Sequence, residues 1–236
     1  MATSVDSRID SWPCLLRVGC HRVLWMRWDV GVGVIDERRV GRLGGDAVEP
    51  TGAVWVVVGD RRARPRPMTG HAPAGSVGAG VVAVVLGATW RDRPVGWVSE
   101  LRGLRGLRHQ RARAVGLPSR RCAMSLTRDP RGYVHCLLRG GAGEGEAMTL
   151  AVKYRAEGGA ADEAETAIGG GPIRLAWGEP AGQGAWLDAE FDASGERSAE
   201  VEVHACDLTG VLGVRLEETP LSAGWLDRAT PAGSRA

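Results

Sequence analysis

Apolar and polar positions alternate with a period of two through much of the last 113 residues. Leu150, Val152 and Tyr154 would face one side of an extended chain while Lys153 and Arg155 face the other. Leu187, Ala189 and Phe191 likewise oppose Asp188, Glu190 and Asp192. Ala199, Val201, Val203 and Ala205 oppose Glu200, Glu202, His204 and Cys206, and Leu212, Val214 and Leu216 oppose Arg215 and Glu217. This is the signature of strands with one buried and one solvated face. With segments 133–138 and 173–177 the pattern predicts six strands, separated by turn signals at 169–172, 178–184 and 194–197. Only 160–168 reads as a short helix. Parallel pairing requires crossovers of about a dozen residues, longer than most of these gaps. The expected fold is therefore mainly β, an antiparallel β-sandwich or small barrel from about Met124 onward.

The first half is less regular. Its apolar runs, 23–35, 53–58 and 81–86, are Val-rich and bounded by Gly, Pro or charge, so they read as strands. Segment 60–67 is an Arg/Pro linker and 71–80 a loop of small residues. One helix is expected at about 99–117 with Leu101, Leu104 and Leu107 inward, weakened by Gly103, Gly106 and Gly116. The expectation is two regions: 1–123, an irregular β/coil stretch, poorly packed or partly disordered, and 124–236, the β domain.

Composition sharpens that division. Of thirty basic residues only Lys153 is lysine, asparagine is absent, and Phe191 is the sole phenylalanine against nine tryptophans. Before Met124, Ile9 and Ile35 are the only Ile, so a core there must be filled by Val, Leu and Trp. Codon bias accounts for this, and so does a mis-translated stretch without function. Twenty Arg against ten acids make residues 1–123 carry +10; ten Lys and Arg against eighteen acids leave −8 after them. Such asymmetry suits a polyanion-binding arm or docking of one half on the other. The five cysteines, Cys14, Cys20, Cys122, Cys136 and Cys206, are few and thinly spread, which points to a reducing cytoplasm. Segment 67–90 is uncharged, but its dense apolar part, 77–86, is too short to span a bilayer.

Two clusters carry candidate chemistry. Glu202, His204 and Cys206, with Glu200, fall on one strand face and supply carboxylate, imidazole and thiolate, the donors zinc prefers, with His135 or Cys136 as further ligands. Arg102, Arg105, Arg108, Arg111, Arg113, Arg120 and Arg121 form an acid-free basic segment fit to neutralise phosphates of a nucleic acid or other polyanion. Trp177, Trp186 and Trp225 read as core residues before they read as a carbohydrate groove. No phosphate loop, nucleophile elbow, His-Glu-x-x-His or complete dinucleotide fingerprint is present. The functional expectation is a non-catalytic binding or interaction module with a basic extension, the alternatives being polyanion binding and a metal-dependent protein.

Overall fold

The structure, a computed structural model, describes residues 22–60, 80–104, 107–140, 148–156, 172–179, 181–190, 196–216 and 219–227. Strands β1 (Arg22–Asp29), β2 (Arg42–Leu43), β3 (Asp46–Ala47), β4 (Glu49–Asp60), β5 (Gly80–Trp90) and β6 (Arg93–Arg102) precede helix α1 (Leu107–Ala114). There follow β7 (Ser119–Arg120), β8 (Ala123–Arg128), β9 (Val134–Gly140), β10 (Met148–Ala156), β11 (Pro172–Trp177), β12 (Ala185–Glu190) and β13 (Glu196–Leu208). A helical turn α2 (Thr209–Leu212), then β14 (Val214–Arg215) and β15 (Ser222–Asp227), end the described chain. The linker at 61–67, the loop at 71–79, the helix expected at 160–168, Arg105, Cys14 and Cys20 lie outside the described residues.

The protein is mainly β. Thirteen of the described strands join in one large mixed sheet, in the order β12-β11-β6-β5-β4-β1-β15-β13-β10-β9-β8, with β7 beside β6 and β14 beside β13, while β2 and β3 pair apart as a two-stranded sheet. A clear antiparallel sandwich is thereby corrected: strands from before and after Met124 lie in the same sheet, joined where β1 pairs with β15 and where β6 pairs with β11. The β6 pairings with β11 and β7 are parallel, their crossovers running through long stretches of intervening chain. The sheet curls until Met124 and Leu126 of β8 stand against Gly80 at the start of β5, where a methyl group would meet their side chains.

Both faces of the central strands are covered, which explains why β4 and β5 read as continuous Val runs rather than alternating ones. The concave face holds the larger core: Leu24 and Met26 of β1, Val54, Val56 and Val58 of β4, Val82, Val84 and Leu86 of β5, Trp97 of β6, and Leu138, Leu150, Val152 and Tyr154 from β9 and β10. The convex face carries a smaller one, where Trp25, Val57, Ala83, Val98 and Leu101 meet Leu104, Ala112 of α1 and Leu117. Trp177 is buried there and its indole N–H donates to the Val115 carbonyl at 2.8 Å. Trp225 is buried against Tyr154, ring centroids 5.3 Å apart, and Trp186 is half-buried beside Trp90.

Three local expectations change. Residues 99–102 belong to β6, so the helix is only Leu107–Ala114. Positive φ at Gly103 and its close approach to the Gly80 carbonyl break the chain between strand and helix. The strand expected at 212–216 is the end of α2 followed by β14, because Gly213 takes a left-handed conformation and caps the turn. Strands β8 and β15 were not anticipated from the pattern.

Candidate functional site

Two one-residue irregularities decide which polar side chains enter the concave core. Along β6 the register shifts between Val84/Val85 and their partners: Val85 pairs with Val98 but Val84 pairs with Glu100, leaving Ser99 as an extra residue. Paired residues of an antiparallel ladder share a face, so the bulge reverses the phase of everything after it. Glu100 joins Val84, and Arg102 joins Val82, on the concave side, while Leu101 turns to the convex core with Ala83. A charged pair thus sits where uninterrupted alternation would have put Ser99 and Leu101.

Glu100 and Arg102 are almost wholly buried, at 4% and 1% exposure. Arg102 Nε donates to Glu100 Oε1 at 3.0 Å, and Arg120 Nε approaches Glu100 Oε2 at 3.4 Å with its own side chain 43% exposed. Two guanidinium groups therefore converge on one carboxylate, one from inside the core and one from its edge. The tip of Arg102 reaches across to Gly140 at the end of β9, beside Cys122; a methyl group at Gly140 would collide with the guanidinium. Arg102 therefore bridges from β6 to β9, where the curled sheet brings its far strands back toward its middle. A buried ion pair costs several kcal/mol per charge in desolvation. Buried ionisable groups of this kind occur both at functional sites and in structural ion-pair networks.

Beside this cluster lies a second polar contact. Ser119, 6% exposed, shares a hydrogen bond with His109 Nδ1 of α1 at 2.9 Å.

The basic segment does not present one surface. Arg102 is buried, Arg120 is directed at Glu100, and Arg113 and Arg121 are exposed. The side chains of Arg108 and Arg111, on α1, are not among those described. The strand-face cluster is also divided. A second bulge leaves His204 unpaired in the ladder between Val203, opposite Val152, and Ala205, opposite Ala151. Glu200, Glu202 and His204 stay outside, whereas Cys206 turns into the core opposite Leu150 at 2% exposure. Burial pushes the Cys206 thiol up to about 12, and it does the same to Cys136. Both sulfurs stay protonated at neutral pH, away from the exposed imidazole. Among the described residues, no group of three or more His, Cys, Asp and Glu side chains is placed to hold a metal ion.

Glu200 and Glu202 instead build an outer ladder of ion pairs. Lys153 donates to Glu202 at 2.9 Å and Arg155 to Glu200 at 2.6 Å. The Tyr133 hydroxyl donates to Glu200 at 2.9 Å, and its ring lies 4.6 Å from Lys153 and 4.5 Å from Arg155. Hydrogen bonding to Glu202 holds the Lys153 ammonium above its usual range, and the Lys153 and Arg155 bonds hold Glu202 and Glu200 below theirs. Lys153 is the one lysine of the 236 residues, and as a charged, paired ammonium on the convex face it is a poor nucleophile.

No helix among the described residues is long and apolar enough to cross a membrane. No family model matches the chain, and no curated protein matches it. Solved structures do. An acetoacetate decarboxylase from Legionella pneumophila is similar over 86% of this chain and 79% of its own, with a TM-score of 0.51 at 10% identity. An acetoacetate decarboxylase-like enzyme from Sphingomonas wittichii RW1 covers 86% and 85% at 13% identity and a TM-score of 0.49. The enduracididine biosynthesis enzyme MppR, complexed with pyruvate, covers 86% and 81% at 12% identity and a TM-score of 0.47. The fold likeness rests on the first of these. It corrects the expectation of a free-standing non-catalytic β module: the strands are arranged like those of a solved acetoacetate decarboxylase, a likeness of fold.

Proposed function

We propose that the protein is an enzyme that binds a small oxo acid on the concave side of its sheet and transfers a proton at the carbon beside the substrate carbonyl. The observation that carries this reading is the Glu100–Arg102 pair, all but fully buried, with Arg120 entering from the edge. A substrate carboxylate would take the place of one Glu100 oxygen against the guanidinium groups, whose planar forks suit bidentate carboxylate recognition. Glu100, so displaced, is the base within reach of the substrate. The guanidinium groups then hold negative charge developing on the substrate oxygen, in surroundings where such contacts act more strongly than in water. The fold's occurrence in an acetoacetate decarboxylase supports an oxo acid as the substrate class.

Lysine imine chemistry has no support in this chain. An amine attacks a carbonyl only when uncharged, and Lys153 is held protonated by Glu202 on the opposite face of the sheet. The protein should catalyse exchange of the C3 protons of 2-oxobutyrate in deuterium oxide, read by proton NMR. Glu100→Gln should abolish this, and borohydride added with the substrate should trap no adduct. Exchange that survives Glu100→Gln, or a trapped adduct at Lys153, would overturn the reading.

A further inference from the structure

We infer that His109 and Ser119 are positioning residues that hold Arg120 against Glu100, an inference that rests on the oxo acid reading of the inner cluster. Strand β7 is only two residues long, and it pairs in parallel with Leu101 and Arg102 of β6. So short a strand has little ladder of its own to fix it; the Leu101 N–H donates to the Pro118 carbonyl at 2.9 Å just before it. Side chains alternate across a strand, so Ser119 and Arg120 point to opposite faces. Arg120 points inward to Glu100. Ser119 points to the convex side, where its hydroxyl is buried and meets the His109 ring.

A buried hydroxyl left without its partner costs free energy, so the His109–Ser119 bond adds to the backbone bonds in fixing where β7 sits. His109 is itself held by α1, which is anchored through buried Ala112 and by the bond from Trp177 to Val115 just beyond the helix. One continuous line of contacts runs from helix to imidazole, to hydroxyl, to the two-residue strand, to the guanidinium, to the Glu100 carboxylate. The Arg120–Glu100 contact, at 3.4 Å, is the longest link and the one most sensitive to a shift of β7. His109 and Ser119 thus act on the substrate only through Arg120.

Calorimetric titration with 2-oxobutyrate tests this on the full chain. Ser119→Ala and His109→Ala should each weaken binding about tenfold, the worth of one hydrogen bond passed on to the ligand. His109→Asn, whose amide falls where Nδ1 stands, should recover most of the loss, a rescue that damage to the helix alone would not allow. Adding Ser119→Ala to Arg120→Gln should cost nothing beyond Arg120→Gln alone. The inference is overturned if both alanine variants bind like the wild type, if His109→Asn binds no better than His109→Ala, or if the double variant is weaker than Arg120→Gln. Should Arg120→Gln lose binding while Ser119→Ala keeps it, the positioning role fails alone. Should the wild type bind no 2-oxobutyrate, or Arg120→Gln bind it unchanged, the oxo acid reading fails and this inference with it.

Discussion

At the scale of single residues, the buried Glu100 carboxylate and Arg102 guanidinium are the most consequential pair in the protein. Each charge is compensated in the core by opposite charge, Glu100 by Arg102 and Arg120, and Arg102 by Glu100. Glu100→Gln keeps the shape and removes the charge, so it leaves a buried cation facing a neutral amide. Unfolding in urea should report a loss of roughly 3 kcal/mol. An unchanged midpoint would mean that Glu100 is not the counter-ion of the buried guanidinium. Both residues stand plainly in the sequence, yet neither announces itself. Arg102 reads as one of seven arginines in a basic run, and Glu100 as the start of a helix. What distinguishes them is burial, and burial follows from the ladder rather than from residue type. Cys206 gives the converse case: its donor chemistry was legible, its direction was not.

At the scale of elements, strands were easier to recognise than their phase. Alternation correctly located segments of β9, β10, β11, β12 and β13, because a half-buried strand must repeat every two residues. A bulge inserts one residue without changing composition, so the pattern on either side still looks like a strand while the face it presents is exchanged. The bulges at Ser99 and His204 are therefore invisible to period-two reading, and they decide what enters the core. Strand β15 escaped for another reason: its Ser-Ala-Gly-Trp start is dominated by small residues. Gly224 faces Trp25 across the β1–β15 ladder, and a methyl group there would run into the indole ring. Gly224→Ala should cost about 1–3 kcal/mol by overpacking this joint, measured by thermal or urea unfolding. A variant as stable as the wild type would show that Trp25 does not pack there.

At the scale of the whole molecule, one sheet threads both compositional halves together. The shift from basic to acidic at Met124 is real in the sequence. Strands on either side of it nevertheless pair directly, β1 with β15 and β6 with β11. Valine, leucine and tryptophan fill the core on both faces of the central strands despite the scarcity of Phe and Ile. No local pattern could have foretold the parallel β6–β11 contact, since the two strands are separated by some seventy residues of sequence. Glu100 and Arg102 lie buried on the concave side of this sheet, and Arg120 meets Glu100 from its edge. This inner cluster, and not the outward-facing arginines beside it, is proposed to receive the substrate carboxylate. Calorimetric titration of 2-oxobutyrate against Arg120→Gln and Arg121→Gln separates the two directly. Arg120→Gln should lose at least tenfold in affinity, on the scale of a charge-assisted hydrogen bond, and Arg121→Gln should bind like the wild type. Equal losses in the two variants, or a loss confined to Arg121→Gln, would contradict that assignment.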